Sequence, residues 1–160
     1  MNKKLILESV VTHLESEYQT AVAAAKEAHA TATHSESVAE NKYDTFGLEA
    51  SYLAQGQARR VDELANALLK LRQLPVKHYQ ASDAIGMGAL VELEREDGSE
   101  QCILLAPGAG GVKLEVEGKT ITVVTPTSPL GSALMGRFID DEVSLENKAG
   151  KHCAWVIAID

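Results

Sequence analysis

The stretch LESVVTHLESEYQTAVAAAKEAHATA, residues 7–32, is the most informative part of the sequence, because its apolar and small side chains recur at alternating steps of four and three residues. The positions of this first seam are Leu7, Val11, Leu14, Tyr18, Ala21, Ala25, Ala28 and Ala32. An unbroken alternation of this kind predicts a long helix that packs along its length on a second helix.

A second seam supplies the partner helix, and Pro75 ends that helix or follows its end closely. Its positions are Ala50, Ala54, Gln57, Val61, Leu64, Leu68 and Leu71, with one polar member. Side chains become smaller along the first seam and larger along the second, so antiparallel pairing sets large against large and alanine against alanine. The short connection also requires antiparallel neighbours. The sequence therefore predicts a coiled-coil hairpin with arms of roughly 45 Å. A helical pair that dimerises in a larger bundle is the alternative.

The connection between the two helices, residues 34–45, is acidic and holds Glu36, Glu40 and Asp44. Its Ser, Asn and Asp residues suit a turn and the start of a helix. Carboxylates held close together can bind Mg²⁺, although this segment has too few oxygen ligands for a complete site. The alternative is that the three acids are solvated turn and capping residues.

After Pro75 the apolar period changes to two, which predicts strands. The predicted strands cover residues 89–94, 101–105, 112–117, 120–125, 142–145 and 153–159, and a short helix covers 128–135. They predict a small α+β domain of five or six strands, in an antiparallel or mixed sheet with the helix on one side. A linker is expected near 73–82, and the glycine-rich segment 107–113 is predicted to be a hairpin turn.

The charge of the chain limits its partners. The net charge is −8, and residues 81–160 hold six bases against thirteen acids. A nucleic-acid-coating surface needs an excess of Lys and Arg, so a protein partner is expected instead. No run of about 18 apolar residues is present, so no membrane span is expected. Residues with the spacing of a self-contained active site or metal site are absent from the sequence, and the two cysteines are expected to be buried thiols.

The segment Thr125–Arg137, TPTSPLGSALMGR, resembles the C-terminal signature of the bacterial Gre transcript cleavage factors (GreA and GreB). In that signature a Ser-Pro begins a short helix, and acidic residues with a Val-rich strand follow, here at residues 140–143. The resemblance extends over nearly the whole chain. Its further matches are Ile85–Ala89, Trp155-Val156-Ile157, Glu40-Asn41 and Arg60-Val61.

The resemblance implies an FKBP-like domain at residues 82–160 that binds RNA polymerase, and a hairpin at residues 1–75 that enters the secondary channel of the polymerase. Glu40, with Asp44 or Glu36, would help hold the second Mg²⁺ of the polymerase active site, so that the polymerase cleaves a backtracked transcript. The implied polymerase-binding residues are Ser128, Pro129, Leu130 and Leu134. The chain would then be a cytoplasmic accessory factor and not an enzyme. It would have no cofactor of its own, share Mg²⁺ with the polymerase, contact the nascent RNA indirectly and not bind DNA directly.

One departure from the Gre pattern keeps the activity open. The family places an Asp three residues before the Glu of Glu-Asn, and Ser37 stands at that position here. The interval from Glu40-Asn41 to Arg60-Val61 is also about three residues longer than in the family. Three functions are therefore compatible with the sequence: a cleavage factor, a secondary-channel regulator without cleavage, and an unrelated coiled-coil interaction protein.

Overall fold

A computed structural model of the chain describes residues 2–33, 46–147 and 150–160. The first helix, α1 (Lys3–Thr33), has 31 residues and contains neither glycine nor proline. At roughly 1.5 Å per residue it is about 46 Å long. Asn2 caps its start, because the side-chain oxygen of Asn2 accepts hydrogen bonds from the backbone amides of Lys4 and Leu5 at 3.1 and 3.3 Å.

The second helix, α2 (Phe46–Arg72), has 27 residues and ends shortly before Pro75, as the sequence predicts. Glu49 lies in its first turn, and Lys70 and Arg72 lie in its last turn. This charge distribution complements the helix dipole, which favours acids at the start and bases at the end.

The chain forms two compact units, called here the helical unit (Thr12–Leu69) and the sheet unit (Met1–Val11 and Lys70–Asp160). Lys3 near the start of α1 donates a hydrogen bond to the carbonyl of Lys77 beyond α2, whereas Glu17 further along α1 pairs with Arg60 of α2. The two helices are therefore antiparallel, and the predicted hairpin is confirmed. The predicted domain boundaries, 1–75 and 82–160, stay a prediction.

The seam of the hairpin is buried where the sequence predicts it. Its buried members within the helical unit are Leu14, Ala21, Ala28, Ala50, Leu64 and Leu68. In the sheet unit the first turns of α1 bury a second face, since Ile6 and Val10 are fully buried although neither belongs to the predicted seam.

Six strands form one mixed sheet in the order β3-β4-β2-β1-β6-β5. Their bounds are β1 (Leu90–Arg95), β2 (Glu100–Leu105), β3 (Lys113–Val116), β4 (Lys119–Val124), β5 (Glu142–Asn147) and β6 (Gly150–Ile159). The pairs are antiparallel except β2 with β4, which is parallel. The predicted α+β class, with five or six strands and one short helix, is confirmed, and the number of strands is six.

The prediction of a hairpin turn at 107–113 is wrong, because β2 and β3 are not neighbours in the sheet. β4 lies between them and pairs with both, so residues 106–112 cross over β4. The physical reason is burial. Ile121 and Val123 of β4 are fully buried, whereas β3 alternates between exposed and half-buried residues and suits the edge of a sheet.

The short helix α3 (Pro129–Leu134) follows β4 and covers one face of the sheet. The main core lies on this face and consists of Tyr79, Ile85, Ala89, Val91, Leu93, Ile103, Leu105, Val124, Leu134, Val143, Ala154 and Val156. Tyr79 belongs to the predicted linker, yet it is buried, and its hydroxyl donates a hydrogen bond to the carbonyl of Met87 at 2.8 Å. The segment 73–82 is thus part of the sheet unit and not a free tether. None of the helices that the structure describes is both long and apolar enough to cross a membrane.

Candidate functional site

The predicted acidic site lies in the connection between α1 and α2. Glu36, Glu40 and Asp44 lie outside the described residues, so their role in holding Mg²⁺ stays a prediction. The flanking helices are described, and near the connection their buried seam positions are Ala28 and Ala50. Small side chains at a helix interface allow close approach, so the two helices are packed by alanine on both sides of the connection.

The second predicted site is α3, where Ser128 caps the helix and Pro129 occupies the first helical position. The hydroxyl of Ser128 accepts a hydrogen bond from the amide of Gly131 at 3.1 Å and donates one to the carbonyl of Thr125 at 2.7 Å. A serine cap followed by proline is a favoured helix start, because the proline has no amide to leave unpaired. The Ser-Pro of the sequence signature therefore fixes where α3 begins.

Gly131 allows α3 to lie directly on the preceding backbone. A Cβ atom at this position would lie 2.0 Å from the carbonyl oxygen of Thr125 and 2.8 Å from its carbonyl carbon. No side chain fits at such a distance, so glycine is required for this packing. The same contact positions Leu130 and Leu134 relative to the sheet.

The four residues of the predicted polymerase-binding set differ in exposure. Leu134 is fully buried in the core, and Leu130 packs against that core while partly exposed. Leu134 can therefore support a docking surface from beneath but does not present itself to a partner. Two large apolar residues just after α3, Met135 and Phe138, are exposed by 40% and 46%. Sequence reasoning did not select them. The sequence signal for them is their position close to Gly136, because a glycine commonly follows the last residues of a helix.

A cavity of about 430 Å³ lies beside α3, among the end of the β1–β2 hairpin and β6. Its apolar lining includes Leu93, Leu130 and Ala154, and its polar lining includes Arg95 and His152. A concave apolar site with a few polar groups is suited to accept a side chain of a partner. The cavity thus places Leu130, one of the predicted docking residues, at a concave surface.

Acid–base and nucleophilic chemistry find little support in the described residues. Burial raises the pKa of the Cys102 thiol to about 11, and a hydrogen bond with Glu142 raises the pKa of the Cys153 thiol. Both thiols are therefore protonated at neutral pH and are poor nucleophiles. Across the described ranges, no group of three or more His, Cys, Asp or Glu side chains is placed to hold a metal ion.

Comparison with known proteins gives structural and sequence matches. A search of family models found none that matches. Among solved structures, GreA factor homolog 1 (Gfh1) of Thermus thermophilus aligns over 94% of each chain with 22% identity and a TM-score of 0.39. The elongation factor GreA/GreB of Nitrosomonas europaea aligns over 60% of this chain and 78% of that chain, with 19% identity and a TM-score of 0.38.

The sequence matches carry the family assignment. The transcription inhibitor protein Gfh1 of Thermus thermophilus is 31% identical over 122 residues, which cover 73% of this chain and 72% of that protein. The Gfh1 of Thermus aquaticus is 33% identical over 122 residues, with 73% and 71% covered. On the strength of this identity and coverage, the chain belongs to the Gre family of transcription factors.

Proposed function

We propose that this chain binds RNA polymerase and regulates transcription by inserting the connection between α1 and α2 into the secondary channel. The observation that carries the proposal is the match, at 31–33% identity over nearly three quarters of the chain, to relatives named as transcription inhibitors. The chain itself has no catalytic role in this proposal and acts as an accessory factor of the polymerase.

The hairpin supports this role physically. α1 and α2 have 31 and 27 residues, and their seam is packed by alanine next to the connection. Alanine buries little apolar area, at about 25 cal/mol per Å², so this packing stabilises the hairpin only weakly. What it offers instead is a small cross-section, which entry into a channel requires.

The surface at α3 supports docking of the sheet unit on the polymerase. Ser128 and Pro129 set the start of α3, Leu130 lines the adjoining cavity, and Phe138 is exposed nearby along the chain. We propose that Ser128, Pro129 and Leu130 contact the polymerase and that Leu134 holds α3 in place for them.

Inhibition without cleavage is the activity that we favour. Ser37 stands where the Gre pattern has an acid, and the matched relatives are named as inhibitors. In this activity the inserted segment obstructs nucleotide addition without completing a metal site.

Stimulation of transcript cleavage is the second candidate. Glu40-Asn41 keeps the Glu-Asn of the Gre pattern, and Glu36 and Asp44 can supply a further carboxylate. Carboxylates at this position would help hold a second Mg²⁺, which activates water and offsets phosphate charge.

Purified core RNA polymerase tests the proposal. The binding constant of the chain is measured first, and stalled and backtracked complexes are then incubated with it over a range of Mg²⁺ concentrations. We expect binding, slower nucleotide addition and no release of 3′ RNA fragments. The cleavage candidate would be established instead if the wild type releases fragments and this release is lost in Glu40→Ala or Asp44→Ala. The control Asp62→Ala, on α2, should then keep the release. Absence of binding would refute both candidates.

A further inference from the structure

Trp155, the only tryptophan of the chain, is an exposed aromatic residue in the middle of a sheet. It belongs to β6, which pairs on one side with β1 and on the other with β5. Its neighbours Ala154 and Val156 point into the core and are buried, whereas Trp155 itself is 38% exposed. Tryptophan is highly buried on average, so its exposure in a regular strand calls for a physical explanation.

The strand register places an acid on each side of this indole. Glu94 of β1 is the Cα partner of Trp155, and Glu142 of β5 is its partner on the opposite side. Directly opposite residues in antiparallel pairs point to the same face, with Cβ atoms about 5 Å apart. Glu94, Trp155 and Glu142 therefore form a row across three strands on the face opposite to the main core.

A β-bulge extends this row with a second apolar residue. Leu93 pairs with Val156 and Glu92 pairs with Ala158, so Ile157 is the extra residue on β6. Ile157 is 36% exposed. The four residues Glu94, Trp155, Glu142 and Ile157 are called here the Trp155 patch.

The two acids of the patch have no cation of their own among the described side chains. Glu142 forms a hydrogen bond with the Cys153 thiol, and no ion pair joins Glu94 or Glu142 to a described Lys, Arg or His. Nearby bases have other partners: Lys119 pairs with Glu92 at 2.8 Å, Arg95 donates to Gln101, and Arg137 donates to the carbonyl of Ala133. Among the described side chains, Lys119 on this face is thus engaged by Glu92, which leaves Glu94 and Glu142 available to a cation of a partner.

We propose that the Trp155 patch is a docking surface for a basic segment of a partner protein, in which an Arg or Lys side chain lies over the indole between the two carboxylates. A cation over the face of tryptophan is attracted by the ring, and guanidinium groups form strong hydrogen bonds with carboxylates. Ile157 offers contact to an apolar residue beside the cation. The excess of acids in the second half of the chain attracts the same kind of partner.

Other occupants fit less well. Nucleic acid would bring phosphates against Glu94 and Glu142, which repel them. A second copy of the chain, joined through a two-fold axis, would bring the same acidic row against itself. The inference extends beyond the proposed function, since it holds for any partner with a basic segment, whether or not the polymerase supplies it.

The fluorescence of Trp155 tests the inference directly, because no other tryptophan contributes. The probe is a short peptide of alternating Arg and Leu, and the control peptide has Gln in place of Arg. We expect saturable quenching with the Arg peptide and binding about tenfold weaker in the double variant E94Q/E142Q. The matched control E115Q/E117Q removes the same charge at the β3–β4 hairpin and should bind as the wild type does. Circular dichroism checks that each variant is folded.

Four results would overturn the inference. Equal weakening in both double variants would mean that the peptide responds to net charge alone. Equal affinity for the Gln peptide would mean that the patch selects apolar residues and not a cation. Calorimetry measures the binding of the Arg peptide to Trp155→Leu, and undiminished affinity would exclude a role for the indole. If the wild type is a dimer and Trp155→Leu dissociates it, a second copy of the chain is the occupant.

Discussion

The helical unit and the sheet unit bury very different cores. The sheet unit has a cluster of large side chains, among which Leu93, Ile103 and Leu105 are fully or almost fully buried. The helical unit has a single seam, and three of its buried residues are Ala21, Ala28 and Ala50. Since hydrophobic stabilisation scales with buried apolar area, the large side chains of the sheet unit contribute more of it per residue than the alanines of the helical unit.

This difference matches the roles that we propose for the two units. A docking domain has to keep a fixed surface, which a dense core provides. A segment that enters a channel needs a small cross-section and only enough stability to remain helical. We therefore expect the same chemical change to have opposite or unequal effects on the stability of the two units.

The largest difference is expected for one added methyl group at Gly131 and at Gly56. Gly131→Ala places a Cβ 2.0 Å from the Thr125 carbonyl oxygen, so α3 has to shift, and we expect a loss of about 3 kcal/mol in the free energy of unfolding. Gly56→Ala, in α2, meets nothing within 4 Å and should gain about 1 kcal/mol from higher helix propensity. Urea unfolding measures both. A small loss at Gly131 would show that α3 is loosely packed and that the two units do not differ in this respect.

The two lysines at the start of α1 provide the second test, which compares a buried with an exposed side chain inside the sheet unit. Lys3 is 1% exposed, its ammonium donates to the Lys77 carbonyl at 2.5 Å, and burial lowers its pKa. Lys3→Ala leaves a cavity and an unpaired carbonyl, with an expected loss of about 2 kcal/mol. Lys4→Ala, at a largely exposed side chain, should change stability by less than about 0.5 kcal/mol.

The variant Lys3→Met separates packing from charge in this test. It keeps the length of the buried stem and removes the ammonium, whose burial is unfavourable. We expect thermal unfolding to show Lys3→Met close to the wild type and well above Lys3→Ala. If Lys3→Met lowers the thermal stability as much as Lys3→Ala does, the hydrogen bond to Lys77 stabilises this end of α1 and the packing of the stem does not.

The third test uses pH, because both cysteines lie in the sheet unit and the helical unit has none. The ordinary thiol pKa is 9.0, and burial raises that of Cys102 to about 11. Between these values the thiol of the unfolded chain ionises while the buried thiol stays neutral. The contribution of Cys102 to the free energy of unfolding is therefore fully present below pH 9 and falls as the pH rises towards 11. We compare two proteins that both carry Cys153→Ala, one with Cys102 and one with Cys102→Val. Over this pH range the free energy of unfolding should fall by about 1–2 kcal/mol more in the protein that keeps Cys102. Parallel pH profiles for the two chains would contradict the raised pKa.

The sequence was sufficient for the elements of the fold because their patterns are local. The heptad seams predicted α1 and α2, and the alternating segments predicted all six strands, several to within one or two residues. Strand order is not local, and the insertion of β4 between β2 and β3 was missed. A one-face heptad pattern also could not reveal that Ile6, Val10 and Lys3 are buried, since that depends on what the start of α1 packs against.

The candidate site was predictable in part for the same reason. The Ser128-Pro129 start of α3 follows from capping rules and was predicted. The orientation of so short a helix depends on tertiary packing, so the sequence did not reveal that Leu134 faces the core whereas Met135 and Phe138 are exposed. For Glu36, Glu40 and Asp44 the sequence remains the basis of the prediction.

The smallest expected effect lies in the helical unit, at the polar member of the seam. Gln57 is half-buried and, with Ala21, Ala24 and Leu64, lines a groove of about 360 Å³ between the helices. Gln57→Leu should fill part of this groove with apolar atoms and stabilise the hairpin by about 1 kcal/mol. Gln55→Leu, two residues earlier on an exposed position, is the matched control and should change stability little. Urea unfolding followed by far-ultraviolet circular dichroism measures both; equal stability of the two variants would mean that the groove is not part of the seam. A gain at Gln57 would show instead that the helical unit can accept a larger core than it has, so its thin packing reflects a demand other than stability.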